Sequence, residues 1–220
     1  MKNSFKEAAG GLPEAEQDER SPAEKALMNW GIGYKKQADG SILVPGNLDI
    51  SNKGLTSLPD LRKVKVGGYF RCDNNQLTSL EGAPHTVGGN FWCEHNQLTS
   101  LKYGPQSVNG TFYCFNNRLT SLAGAPRAVG GFFYCENNQL ASLEHAPQCF
   151  ENLHSDLGKF SSWQEVPEIL RLSPETKARQ EQERQEQKEA AIQVATVLSA
   201  PLIVNGPLRL KRLHSSAAFS

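Results

Sequence analysis

The sequence predicts a repeat solenoid in which short parallel strands stack along one axis. One 21-residue phrase recurs between residues 46 and 150, and its best copies are GGNFWCEHNQLTSLKYGPQSV and GGFFYCENNQLASLEHAPQCF. Cysteines and leucines recur at the same spacing: Cys72, Cys93, Cys114 and Cys135, and Leu77, Leu98, Leu119 and Leu140. A fixed period in this range indicates a solenoid, because a single coil buries its apolar face only against stacked neighbours.

Composition argues against several function classes. The 220 residues carry 23 basic and 23 acidic side chains, so no overall field favours nucleic acid or an anionic membrane. A hydrophobic content of 38%, with 19 glycines and 12 prolines, suits a turn-rich repeat protein. No apolar run reaches the length of a membrane span, and the N-terminus has no secretory signal pattern. We therefore expect a cytoplasmic protein that binds neither nucleic acid nor membrane.

The N-terminal 45 residues are predicted to precede the array. Residues 1–20 are polar and charged, so we expect a disordered leader. Residues 21–45 are expected to form an N-terminal cap. Ser21, Pro22 and Glu24 predict a helix start, and the helix should end near Gly31. Asp39-Gly40 then predicts a hairpin turn.

Each coil is predicted to contain one F-x-C strand. Because strand side chains alternate, Phe and Cys of one coil point into the core together. The four pairs are Phe70 and Cys72, Phe91 and Cys93, Phe112 and Cys114, and Phe133 and Cys135. The cysteines are interpreted as small buried hydrophobes, with disulfides as the weaker alternative because the count is odd. No metal or other cofactor is expected, since ligand spacings such as CxxC are absent from the sequence.

The full motif, F-x-C-x-x-N-x-L-x-x-L, resembles the leucine-rich-repeat core L-x-L-x-x-N-x-L-x-x-L from Leu48 to about Leu153. The segment LTSLPDL is similar to repeats of secreted bacterial effectors, whereas later copies such as LEGAP are closer to short repeat proteins of bacteria and their phages. The resemblance implies that one asparagine per coil hydrogen-bonds the backbone of adjoining coils. Those ladder positions are Asn75, Asn96, Asn117 and Asn138.

The solenoid is expected to span residues 46–153 in about five coils, with an extended or turn-like outer face, because Pro and Gly interrupt every return segment. Residues 154–172 should form a C-terminal cap, with a capping box at Ser162 and Glu165 opening a short helix. We expect the F-x-C pattern to end after Cys149.

Residues 173–220 are predicted to form a long charged helix followed by a tail. Two interpretations of its apolar end stay open: it docks on a partner or a second copy, or it packs on the cap. That end comprises Ile192, Val194, Ala195, Val197 and Leu198. The basic residues Arg209, Lys211 and Arg212 are interpreted as part of a solvated tail.

The register places a row of large side chains on the outer face of the strands. The residues between Phe and Cys are Asp49, Arg71, Trp92, Tyr113 and Tyr134. Those after Cys are Ser51, Asp73, Glu94, Phe115 and Glu136, and those before Phe include Tyr69 and Phe132. Exposed Trp, Tyr and Arg are typical of interface anchors. The alternative is that ring stacking only stabilises the array.

The function predicted from these residues is a non-catalytic module that binds a protein partner through the aromatic face. Two alternatives stay open: a glycan-binding surface on the same aromatics, and a host-directed effector, delivered without a signal sequence, that lacks its own enzymatic domain. Asp73 and Glu94 lie on adjacent coils about 4.8 Å apart, near the carboxylate spacing of retaining glycosidases. A flat open face would leave both carboxylates too solvated for acid catalysis, so no catalytic residue and no enzyme activity are predicted.

Overall fold

The structure, a computed structural model, describes residues 18–199, with side chains through residue 195. These residues form a parallel-strand β-solenoid of about five turns, followed by a long helix. The chain divides after Pro174 into two compact units. Most of the predicted leader and the whole tail from residue 200, including Arg209, Lys211 and Arg212, lie outside the described residues.

Helix α1 (Pro22–Asn29) begins where the sequence predicts. The Ser21 side chain accepts a hydrogen bond from the Glu24 amide, and the Glu24 carboxylate in turn accepts one from the Ser21 amide. This reciprocal capping box satisfies two of the amides that a helix start otherwise leaves without a partner. Leu27 lies fully buried on the inner side of α1 and joins the core of the solenoid.

A short hairpin follows the helix. Strand β1 (Lys35–Lys36) pairs antiparallel with β2 (Ile42–Val44). The turn between them holds Gly40 at a φ of +76°. Asp39 stabilises the same turn by accepting a hydrogen bond from the Ser41 amide at 2.9 Å. The predicted turn is thus present, and the role of this region as a cap stays a prediction.

Each coil then contributes one strand to each of two sheets, here called the front sheet and the back sheet. In chain order the strands are β3 (Leu48–Asp49), β4 (Val64–Val66), β5 (Phe70–Arg71), β6 (Thr86–Val87), β7 (Phe91–Trp92), β8 (Ser107–Val108), β9 (Phe112–Tyr113), β10 (Ala128–Val129) and β11 (Phe132–Tyr134). The odd-numbered strands β3 to β11 pair in parallel as the front sheet. Strands β2, β4, β6, β8 and β10 pair in parallel as the back sheet. The return segments are therefore extended, as predicted.

A column of phenylalanine rings forms the centre of the core. The centroids of Phe91 and Phe112 are 5.1 Å apart with planes 6° from parallel, and Phe133 continues the stack at 5.6 Å from Phe112. Beside the rings, the four cysteines of the repeat are fully buried and unpaired, so the packing interpretation of these residues is confirmed.

Glycine pairs mark the corner between back and front strands because the coils approach very closely there. A Cβ added at Gly88 would lie 2.3 Å from the carbonyl oxygen of Gly67. At Gly130 the same atom would lie 2.1 Å from the carbonyl oxygen of Asn109. A side chain at Gly88 or Gly130 would therefore require the neighbouring backbone to shift.

A buried asparagine joins each coil to the one before it. The Asn96 amide group donates to the carbonyls of Cys72, Cys93 and Glu94 at 3.0–3.2 Å, and its oxygen accepts from the Leu77 amide at 2.9 Å. Asn75, Asn117 and Asn138 make the equivalent bonds in their coils. The first coil carries Lys53 at this position, and Asn75 accepts from its amide.

A left-handed residue precedes each ladder asparagine. Asn74, His95, Asn116 and Asn137 have φ between 50° and 53°. Asparagine tolerates this conformation better than most residues, which explains its repeated use in the NN pair. In one coil, His95 takes the place of this asparagine as the left-handed turn residue.

The F-x-C motif ends before Cys149, but the sheet continues beyond it with a strand that the sequence analysis did not predict. Strand β12 (Asn152–Ser155) extends the front sheet in parallel with β11, and β13 (Gly158–Phe160) closes it as an antiparallel edge. Leu153 and Ser155 are buried beside Phe133 and Cys135. The alternation of N-L-H-S preserves the strand, since only the identity of the inward residues changes.

The predicted helix at Ser162 is also wrong in detail. Residues 163–165 form a single 3₁₀ turn, and α2 (Glu168–Arg171) begins only after Pro167. The Ser162 side chain makes no capping bond, whereas Ser161 donates to the Glu165 carboxylate at 2.8 Å. Pro167 forces the preceding Val166 into an extended conformation, so the helix is interrupted there.

Helix α3 (Pro174–Ser199) forms the second unit. Its charged half carries side-chain pairs four residues apart, such as Gln185 donating to Glu181 at 3.2 Å. On its apolar half, Ile192 and Val194 are exposed. Self-association through this helix stays a prediction.

The thiols provide a test of the register. Burial raises the pKa of Cys72, Cys93 and Cys114, so these thiols should be unreactive in the folded protein. Cys149 is exposed and serves as an internal control. We expect one fast equivalent in a thiol-reagent titration of the native protein and all five only in denaturant. Rapid reaction of more than one thiol would contradict the inward orientation.

Candidate functional site

The outer side of the front sheet carries one continuous column of side chains. Pairing of neighbouring strands places Asp49 beside Arg71, Arg71 beside Trp92, Trp92 beside Tyr113, and Tyr113 beside Tyr134. Because the strands are parallel and in register, these side chains project from the same side of the sheet. The predicted column is therefore brought together. We call its rings, Trp92, Tyr113 and Tyr134, the aromatic column.

The three rings of the column stack on one another. Trp92 and Tyr113 have centroids 5.4 Å apart and planes 7° from parallel. Tyr113 and Tyr134 are 5.1 Å apart with planes at 9°. This is offset stacking, which stabilises aromatic pairs beyond the area they bury. Each ring is half-buried rather than fully exposed, because its neighbours cover its faces.

Three further rings pack edge-on against the column. Tyr69 meets Trp92 at 5.1 Å and 87°, and Phe132 meets Tyr134 at 5.8 Å and 83°. Phe115 contacts Tyr113 at 6.4 Å and 74°. The six rings form one connected apolar surface, here called the aromatic face, with ring edges turned to solvent.

His154 extends the column by one strand, and the sequence prediction missed it. It pairs with Tyr134 in the register of β11 and β12, and its ring lies 4.8 Å from that of Tyr134 at 78°. Its Nδ1 is 3.5 Å from Oε1 of Glu136. The sequence feature that could have identified it is the spacing, because His154 lies 20 residues after Tyr134, between the inward Leu153 and Ser155.

Arg71 closes the other end of the column. Its guanidinium lies 5.5 Å from the centroid of the Trp92 ring, a cation–π contact. The same group donates to both oxygens of Asp73 at 2.9 Å and lies 3.9 Å from Asp49. Arg71 is thus fixed in place by a bidentate pair, which adds directional restraint to the charge attraction.

The prediction that Asp73 and Glu94 lie on an open, solvated surface is wrong. Asp73 is fully buried, and Glu94 is only 7% exposed. The Arg71 guanidinium binds both oxygens of Asp73 and so shields that carboxylate from solvent. Asp73 is compensated by Arg71 and by a bond from Asn74 at 2.7 Å.

Glu94 is compensated less completely, by a hydrogen bond from its own backbone and by the charge of Arg71. Among the described residues, its Oε2 is the one buried side-chain oxygen or nitrogen with no hydrogen-bond partner. Burial, together with the negative charge of Asp73, raises the pKa of Glu94 to about 7. The carboxyl is therefore held partly neutral at neutral pH.

These two carboxyls do not form an accessible catalytic pair. A general acid or nucleophile must touch its substrate, whereas both oxygens of Asp73 are held by Arg71 under the surface. Within residues 18–199 no group of three or more His, Cys, Asp or Glu side chains is placed to hold a metal ion. In the same range, no helix is long and apolar enough to cross a membrane.

Comparisons with family models, with curated proteins and with solved structures gave no match for this chain. The resemblance to leucine-rich repeats therefore rests on the repeated motif of the chain itself.

The buried Glu94 should make stability depend on pH. Its pKa is about 7 against an ordinary value of 4.5, so the folded state holds the proton more tightly than the unfolded state. The stabilisation is complete below about pH 4.5 and is lost as pH rises through about 7. At one pKa unit per 1.36 kcal/mol, the loss is at most about 3 kcal/mol.

Glu94→Gln should remove this dependence and give a higher unfolding free energy than the wild type at pH 8, as measured by urea titrations between pH 5 and pH 8. Glu81→Gln, which removes an exposed carboxylate from a return segment, is the control and should behave as the wild type. An unchanged slope in the Glu94 variant would show that the carboxyl is solvated.

Proposed function

We propose that this protein is a non-catalytic binding module of leucine-rich-repeat type that takes a protein partner on the aromatic face. The repeat type is supported by the motif and by the asparagine hydrogen bonds between coils. Cytoplasmic location is part of the proposal, because the five cysteines are unpaired and suit a reducing compartment.

The stacked column of Trp92, Tyr113 and Tyr134, with Arg71 packed on its end, is the observation that supports binding most strongly. Tryptophan, tyrosine and arginine are the residues most often responsible for affinity at protein interfaces. Here they are already held rigidly by their neighbours, so little side-chain entropy would be lost when a partner docks.

A protein partner fits this surface better than a glycan. A sugar stacks on the open face of an aromatic ring, whereas the three rings of this column stack on one another, with Arg71 over Trp92 and His154 packed at right angles to Tyr134. What remains for a ligand is a strip of ring edges and the tyrosine hydroxyls. Among the described residues, no side chain hydrogen-bonds the hydroxyls of Tyr113 and Tyr134. Edges and hydroxyls suit the mixed apolar and polar contacts of a protein interface.

Site-specific photo-crosslinking tests the proposal. A benzophenone amino acid at Tyr113 should capture the partner, while the same amino acid at Tyr103 should not. Tyr103 is a suitable control because it is 57% exposed and lies on a return segment away from the front sheet.

The captured protein, once purified, should bind Trp92→Ala and Tyr113→Ala at least about tenfold more weakly than the wild type, as expected for interface anchors. Tyr103→Gly should leave the affinity unchanged, since Gly82 and Gly124 occupy the equivalent position with positive φ. Circular dichroism and thiol protection would show that each variant is folded. Equal capture from both positions, or unchanged affinity of the Tyr113 variant, would refute the proposal.

A further inference from the structure

The aromatic face carries negative charge without matching positive charge over most of its length. From β7 to the turn after β12, the outward residues include Glu94, Glu136 and Asp156, together with five of the six rings. No lysine or arginine stands among the outward residues of these four strands; the flanking cations are Arg71 on β5 and Lys159 on β13, which pairs with His154. Acidic groups on a surface are complementary to a cationic segment of a partner.

Glu94 is the group in this region that most lacks a counter-charge. It is 7% exposed, and its Oε2 has no hydrogen-bond donor among the described residues. The nearest guanidinium, that of Arg71, is already bound at 2.9 Å to both oxygens of Asp73. A buried acceptor without a hydrogen bond destabilises the protein, and a hydrogen-bond donor from a partner would offset that cost.

Other charged and titratable groups lie beside Glu94 on its own strand, on the two strands that pair with β7 and on the next strand beyond each. They are Asp49 on β3, Arg71, Cys72 and Asp73 on or next to β5, Cys93 and His95 after β7, Tyr113 and Cys114 on or next to β9, and Glu136 after β11. Apart from Arg71, only His95 in this set can carry positive charge, and its ring packs against Phe115 at 5.4 Å. The set therefore leaves the carboxyl of Glu94 to be neutralised by a proton or by an incoming cation.

We propose that Glu94 is the acceptor for a guanidinium or ammonium group of the protein partner, so that the partner presents an arginine- or lysine-bearing segment to the aromatic face. The inference rests on the proposed function and names the chemistry of its partner. The neutral carboxyl releases its proton to solvent, and the carboxylate turns outward to pair with the cation.

The direct test is calorimetric titration with a nine-residue peptide of alternating arginine and glycine, and with its lysine counterpart. The matched probe replaces arginine by citrulline, which has nearly the same shape and no charge. Because the pKa of Glu94 is about 7, its ionised fraction rises about tenfold between pH 6 and pH 8. We expect the affinity for the cationic peptides to rise by a similar factor and the citrulline peptide to bind weakly at both pH values.

Three variants isolate the role of Glu94. Glu94→Gln should abolish the rise and bind at pH 8 about as weakly as the wild type at pH 6. Glu81→Gln changes the net charge equally on an exposed return segment and should leave the rise intact. His95→Asn removes the nearby histidine and should also leave it intact, since asparagine holds the same left-handed position at Asn74 and Asn116.

Wild-type affinity in the Glu94 variant, equal binding of the citrulline peptide, or no binding of either cationic peptide at pH 8 would overturn the inference. These results differ from failure of the proposed function. If partner capture still depends on Tyr113 while Glu94→Gln has no effect, the aromatic face binds a partner whose contacts are not cationic.

Discussion

The hydrogen bonds of one buried asparagine per coil fix how each coil sits on the one before it. Each amide group reaches a carbonyl of the preceding coil and carbonyls of its own, as Asn117 does with Cys93 and Cys114 at 3.0–3.1 Å. Buried backbone groups at this turn would otherwise lack partners, at a cost of about 1–3 kcal/mol each. The same contacts keep the strands in register, and every other feature of the array follows from that register.

The register of the strands gives the repeated sequence two different surfaces, one inside the solenoid and one outside. Inside, it stacks Phe on Phe and aligns the cysteines in the buried core. Outside, it places side chains that differ from coil to coil in one column, which becomes Arg71 and the stacked rings of Trp92, Tyr113 and Tyr134. Selection can therefore vary the outer residue of a coil with little effect on its inner pair, which is how a repeat scaffold carries a specific binding surface.

The sequence alone was sufficient for the period, which the repetition shows directly, and for the inward Phe and Cys and the membership of the aromatic column, which depend only on alternation within a strand. The ladder asparagines were predicted from the resemblance to leucine-rich repeats. It was insufficient where a tertiary neighbour decides the outcome. The burial of Glu94 is a property of the stacked coils, which no local pattern around residue 94 contains. Strand β12 was missed because Leu153 and Ser155 replace Phe and Cys, and Pro167 interrupted a helix that the capping residues alone would favour.

The most direct test of this account removes one coil. Deletion of residues 112–132 takes out 21 residues and joins Thr111 to Phe133, which restores the F-x-C strand and every buried position. We expect this protein to unfold cooperatively by circular dichroism, at a lower temperature than the wild type because one set of coil contacts is lost. Deletion of residues 112–131 removes one residue fewer, shifts the inward residues to the outer face and should abolish cooperative unfolding. Equal stability of the two deletions would contradict the assignment of one 21-residue repeat to one coil.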